Sequence, residues 1–249
     1  MLISVHIPKC AGTSFRHVLE QLYGARLWMN YGVAFSRQQA NFQVIPAGTN
    51  CIHGHFLADT FDDVLPNRRY ITWVRHPVER VVSNYYHFLR GPDMRDDCCR
   101  ELFEKNLNLL QFAELPWMRN ETTRYLSGKR VEEFEFIGVV ERFEQSMEVF
   151  AHRFAAGRDL PEPRVNCNPD RKANNYELSS SEYAALLALN ADDVLWYEAA
   201  VDRLHAEHAV MKSATHSASI KSFFVETLPN WGKVVSHHAI KTLAFNPVI

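Results

Sequence analysis

The chain has 249 residues, 47% hydrophobic and 22% charged, enough to bury one sizeable core without dividing it. A net charge of −2 argues against a generic nucleic-acid partner and leaves any anionic ligand to a local basic patch. Five cysteines (Cys10, Cys51, Cys98, Cys99, Cys167) lack paired or zinc-like spacing and read as reduced thiols in a reducing compartment.

The apolar start Leu2-Ile3-Ser4-Val5 predicts a strand that leaves no room for a signal peptide, and no apolar run approaches the ~18 residues of a membrane span. The expectation is a cytoplasmic protein without a membrane span. The segment His6-Ile7-Pro8-Lys9-Cys10-Ala11-Gly12-Thr13-Ser14-Phe15 follows as a tight loop and a helix start. Gly12 permits a close turn, Thr13 and Ser14 supply hydroxyls, Lys9 adds a positive charge, and the first-turn N–H groups favour an anion. Phe15, Val18, Leu19, Leu22 and Tyr23 give that helix an apolar stripe, and Gly24 closes it. The pattern departs from the phosphate loop G-x-x-x-x-G-K-[ST], because the lysine lies four residues before Thr13 and no glycine precedes it at the required spacing. A strand-to-helix turn with a solvated Lys9 accounts for these ten residues as well.

Cys51-Ile52-His53-Gly54-His55-Phe56 puts two histidines on one side of an extended chain, with Gly54 allowing a close approach. A structural pair and a metal site compete here, although zinc would need further ligands and none with suitable spacing accompany them. Tyr70 to Val74 then suits a doubly buried strand, Pro77 the first helical position, and Val78, Val81, Val82, Tyr85, Tyr86 and Leu89 a helix face. Arg75 thus leaves the carboxyl end of a parallel strand, where open α/β sheets bind ligands, and Ser83 lies two turns further on, beyond the stripe.

These two strand-loop-helix units, in this order, make the sequence resemble the sulfotransferases that use 3′-phosphoadenosine 5′-phosphosulfate (PAPS). Within them it is similar to the heparan sulfate 2-O-sulfotransferase branch, over about residues 1 to 205. The resemblance also takes in Asn120 to Gly128, Phe136 to Phe143, and the pair Arg171-Lys172. It implies an α/β, P-loop-like three-layer fold with a mostly parallel central sheet flanked by helices. It also implies that Lys9, Cys10, Ala11, Gly12, Thr13 and Ser14 hold the 5′-phosphosulfate, that Arg75 and Ser83 hold the 3′-phosphate, and that Arg171 and Lys172 close over the phosphates. By position in the H-G-H stretch, His55 takes the role of catalytic base, with His53 orienting the acceptor or His55 itself.

Sulfuryl transfer needs such residues: a neutral imidazole, unperturbed pKa ~6.5, takes the acceptor's proton, and Lys9 stabilises charge on the departing bisphosphate. No metal is implied. The resemblance implies a small molecule or a saccharide as the acceptor, through a hydroxyl, without identifying it. His6 stands where heparan-type enzymes carry an arginine, which weakens the case for an acidic polysaccharide, while Arg80, Arg90 and Arg124 are candidates for an acidic group. Two other classes stay open: a kinase or nucleotide hydrolase using the first loop for ATP, and a nucleotide-binding protein without chemistry.

Further along, 101–112 reads as helix, 131–140 as strand entry, 141–154 as helix and 157–175 as a long loop. Helices at 179–189 and 192–207 follow, with Ser180 or Ser181 and Asp192 as caps. The sequon Asn120-Glu121-Thr122 carries no meaning in a cytoplasmic chain. Residues 1–210 are expected to form the sulfotransferase domain. The aromatic segment 211–249, with Phe223, Phe224, Trp231 and Phe245, is expected to pack on it or on a partner.

Overall fold

A computed structural model describes residues 1–31, 44–156, 158, 160 and 178–227, with side chains described as far as 214. Arg171, Lys172, Cys167, Trp231, Phe245 and almost all of the 157–175 loop lie outside the described residues, as do the side chains of Phe223 and Phe224. Five parallel strands form the sheet in the order β2-β3-β1-β4-β5, with β1 at Leu2–Val5, β2 at Leu27–Met29, β3 at Cys51–Gly54, β4 at Arg69–Val74 and β5 at Phe134–Val139. This is the α/β architecture expected, and the sheet is parallel throughout. Strands β1 and β3 are buried along their whole length, as the near-continuous apolar runs of a doubly covered sheet require. Val5 pairs in register with Gly54 on one side and Thr72 on the other. The chain therefore leaves β1, β3 and β4 at one edge, delivering His6, His55 and Arg75 to the same place.

Helix α1, Gly12–Tyr23, buries Phe15, Val18, Leu19 and Leu22, the face its spacing predicts, and ends on Gly24 at φ 52°. Helix α2, Pro77–Arg90, begins on proline and buries Val78, Val81, Val82 and Phe88. Tyr86 and Leu89, expected in the stripe, are about 40% exposed, because the 3.6-residue period carries the face from Val81 to Phe88 instead. A second side of α2 is also covered: Arg80, Ser83 and Asn84 are buried rather than set on an open helix face.

The helix expected at 101–112 is two helices, α3 at Asp97–Glu104 and α4 at Leu109–Ala113. Asn106 adopts φ 48°, and Asn108 opens α4 with a capping box closed by Gln111. A left-handed asparagine and a new cap end one helix and start the next. A short helix α5, Glu121–Tyr125, follows. Strand β5 begins three residues after 131, behind a single 3₁₀ turn at Val131–Glu133. Helix α6, Phe143–Phe150, continues through a wider turn at Ala151–Ala155. Helix α7, Ser180–Leu189, is capped by Ser179 in a box with Glu182, so the expected caps Ser180 and Ser181 are first-turn residues. Asp192 likewise lies in the first turn of α8, Ala191–Thr227, which runs well past the expected end at 207. The chain divides into two units, Met1–His208 and Ala209–Ile249. Among the described residues no helix is long and apolar enough to cross a membrane.

Gly54 has a steric duty: an added Cβ would lie 1.6 Å from the Asn30 carbonyl oxygen, and the Asn30 N–H donates to His53 O at 2.8 Å. Backbone cannot yield as a side-chain tip can. Gly54→Ala is expected to pry the segment after β2 away from β3 and to cost about 1–3 kcal/mol. A thermal unfolding midpoint equal to the wild type's would contradict this packing.

Candidate active site

The loop after β1 is strained in a useful way. Lys9 and Ala11 both adopt left-handed backbone angles, φ 65° and 57°, without being glycine, a conformation that persists only where the surroundings impose it. Ala11 is the N-cap of α1 and offers no side-chain cap, so its side chain leaves the first-turn N–H groups to other partners. At Gly12 an added Cβ would lie 1.9 Å from the His6 ring. The Cys10 N–H is taken by Ile7 O at 3.3 Å and its thiol is buried. Burial pushes that thiol up to about 12, so Cys10 is an inert core residue rather than a ligand contact.

One cleft of about 1140 Å³ gathers most of the expected residues: Lys9, Ala11, Gly12, Thr13 and Ser14 from the first unit, and Arg75 and Ser83 from the second. His55 lines it too. His53 does not. It is 1% exposed and sits one layer back, its Nδ1 paired with Ser4 Oγ at 2.9 Å across the β1–β3 register. Burial drives its imidazole down to about 3, so it stays neutral and cannot meet an acceptor directly.

The histidines form a stack that sequence reasoning missed. His6 stacks on His55 with ring centroids 4.2 Å apart and on His53 at 5.2 Å, so the two histidines of the H-G-H stretch face a third ring rather than a common point. His55 Nδ1 donates to the His6 carbonyl oxygen at 2.7 Å. A carbonyl can only accept, which fixes the His55 tautomer and leaves Nε2 as the basic nitrogen. Burial lowers the His55 imidazole below its usual value, against the opposing pull of that carbonyl. Tyr31 meets all three rings edge-on and bonds His6 Nδ1 through its hydroxyl at 2.9 Å. Nothing in the sequence near Tyr31 signals this, because the contact closes across 25 residues.

The opposite side of the cleft is cationic. Arg75, 9% exposed, bonds Glu79 at 3.2 Å, approaches Glu141 at 3.9 Å and reaches Lys9 O at 3.5 Å. Burial, then Arg75 and Arg90, bring Lys9 down to about 8. Clustered cations that depress one another create the kind of site an anion relieves. Arg90 lines the cleft. Arg80 is wholly buried in an ion pair with Glu121, while Arg124 lines the cleft but reaches Glu121 at 3.4 Å and Trp117 O at 2.8 Å. Asp193 of α8 accepts the N–H groups of Thr122 and Thr123 at 2.9 and 2.8 Å, capping α5, and Asn120 returns the favour at α8 through Asp192 and Asp193.

Residues 1–198 match the model of the Sulfotransferase family. No curated protein matches the sequence. Among solved structures the chain is similar to the sulfotransferase from Alicyclobacillus acidocaldarius, at 15% identity over 79% of this chain and 94% of that one, TM-score 0.44. It is also similar to mouse sulfotransferase SULT7A1 complexed with PAP, at 13% identity over 77% of this chain and 65% of that one, TM-score 0.37. A family model that spans the strand-loop-helix units and the histidine stretch places the protein: it belongs to the Sulfotransferase family.

Proposed function

We propose that this sulfotransferase takes its sulfuryl group from PAPS and delivers it to an acceptor hydroxyl, with a saccharide as the acceptor class. The observation that carries this reading is the meeting, in one cleft, of an uncapped helix start beside Lys9, a second cationic pocket at Arg75 and Ser83, and a histidine whose basic nitrogen is set by a backbone carbonyl. In this reading Lys9, the start of α1 and the Thr13 and Ser14 hydroxyls take one anionic end of the nucleotide, and Arg75 and Ser83 take the other. When bound, the phosphosulfate supplies an activated sulfuryl group and a bisphosphate that departs. His55 Nε2 takes the acceptor proton. Lys9 and the first-turn N–H groups of α1 stabilise charge growing at the departing end. Arg75 and Ser83 hold the far phosphate, and that binding energy orients the reacting end. Tyr31 and Trp117, 40% and 50% exposed on the cleft, offer aromatic faces suited to a sugar ring. The resemblance to the heparan sulfate 2-O branch rests on the H-G-H stretch. Here His6 replaces that branch's arginine.

The test is calorimetry with adenosine 3′,5′-bisphosphate against 5′-AMP. The bisphosphate should bind more tightly by about 1.5–3 kcal/mol, the scale of a charge-assisted bond, and Arg75→Gln should abolish most of the difference. Equal affinities in the wild type would sink the assignment of Arg75 and Ser83.

A further inference from the structure

The His6 side chain has two ring nitrogens and only one is accounted for. Nδ1 bonds the Tyr31 hydroxyl at 2.9 Å, and Nε2 has no hydrogen-bond partner among the described residues. The ring is 9% exposed, lines the cleft, and is clamped between His53 and His55. Its position relative to α1 is specific: a Cβ built on Gly12 would lie 1.9 Å from both Nε2 and Cδ2. The Nε2–Cδ2 edge of His6 thus packs where a Gly12 side chain would project, beside the helix start whose first-turn N–H groups concentrate positive potential. A ring nitrogen so placed on the cleft wall, with no hydrogen-bond partner among the described residues, points to a ligand.

We propose that His6 is a ligand-contacting residue, whose Nε2–H, held in that tautomer by the Tyr31 hydroxyl, donates a hydrogen bond to the anionic group seated at the start of α1. This rests on the reading of the cleft as a bisphosphate-nucleotide site and adds a donor that the cradle itself does not provide. The Tyr31 hydroxyl can donate to Nδ1 or accept from it, and the proposal assigns it the donor role, which leaves hydrogen on Nε2. Burial, then His55 and His53, hold the His6 imidazole well below its usual value, so the donor is neutral. A neutral donor suits its neighbour. A charged His6 with its ring 4.2 Å from His55 would suppress proton uptake there, whereas a neutral N–H leaves the base free.

Two substitutions separate ligand contact from packing. His6→Phe keeps a flat ring in the stack and removes the N–H, and His6→Gln gives up the ring while returning an amide N–H near the place of Nε2. Calorimetry with adenosine 3′,5′-bisphosphate and with adenosine 3′-monophosphate localises the effect, because only the first carries an anion at the 5′ end. The expected result is a tenfold or greater loss of bisphosphate affinity in His6→Phe, unchanged affinity for the 3′-monophosphate, and partial recovery in His6→Gln. Wild-type bisphosphate affinity in a folded His6→Phe would overturn the role of His6 while leaving the nucleotide site intact. Equal affinity of the wild type for the two nucleotides would instead remove the cradle, and His6 with it. Should His6→Phe fail to fold, histidine ¹⁵N spectra of the wild type decide. An Nε2–H tautomer of His6 whose signal moves on adding the bisphosphate supports the proposal, and an Nδ1–H tautomer, or a signal that does not move, overturns it.

Discussion

Replacing His55 by alanine is expected to lower turnover roughly 10²-fold or more, the usual scale for a positioned base, while the fold and bisphosphate affinity persist. Retention of binding is expected because the contacts proposed for the bisphosphate come from Lys9, α1, Arg75 and Ser83, on other strand ends. The wild-type pH profile should carry the same signature. As the proposed base His55 would work only when neutral, and burial lowers its imidazole below the usual value, so turnover should hold down to a pH under that of free imidazole and fall as the group protonates. His53→Ala should behave differently: its ring is buried behind His6, so the loss should come through a disordered stack and be milder than that of His55→Ala. A metal held by the H-G-H pair would make both histidines equally essential and activity sensitive to chelator. Full turnover in His55→Ala, with an unchanged pH profile, would move the base elsewhere, to Glu79 or His76.

What the sequence disclosed was local. The strand, loop and helix of residues 2–23 and of 70–90 were legible because each signal, an apolar run, a proline at the first helical position, a glycine at the end, is completed within a few residues. Helix ends were read less well where two caps competed, as at Ser179 against Ser180 and Ser181, since choosing among adjacent serines requires knowing which backbone leaves the helix. The break at Asn106 is illegible for a similar reason: an asparagine can equally sit exposed on a helix, and its left-handed turn shows only in the structure. Contacts between distant segments were out of reach. The His6–Tyr31 bond closes over 25 residues and the Arg80–Glu121 pair over 41, and periodicity carries no information on such pairings. The inert Cys10 illustrates the converse, because a motif supplies positions in order but does not say which side chain turns inward.

That Arg80–Glu121 pair is the place where the fold is expected to be most vulnerable. Arg80 is 0% exposed and Glu121 5%, and the guanidinium is further held by Met118 O at 3.0 Å. Arg80 Nε has no hydrogen-bond partner among the described residues, so the carboxylate of Glu121 is the main compensation for an interior charge. Removing one member of such a pair leaves the other buried and uncompensated, a loss of about 3–5 kcal/mol. For a chain of this size that corresponds to roughly 2–4 °C of unfolding midpoint per kcal/mol, so Glu121→Ala should unfold about 10 °C early. Glu121→Gln, which keeps an acceptor but no charge, should lose less. The double variant Arg80→Met with Glu121→Leu should recover most of the stability, because no charge is then stranded. The pair also ties function to fold: Arg80 lies three residues before Ser83 on α2, and Glu121 lines the cleft. Glu121→Ala should therefore weaken bisphosphate binding, and the double variant should restore stability more fully than affinity. A midpoint for Glu121→Ala within 2 °C of the wild type's would show that Arg80 finds another partner, and that the pair does not hold α2 against α5.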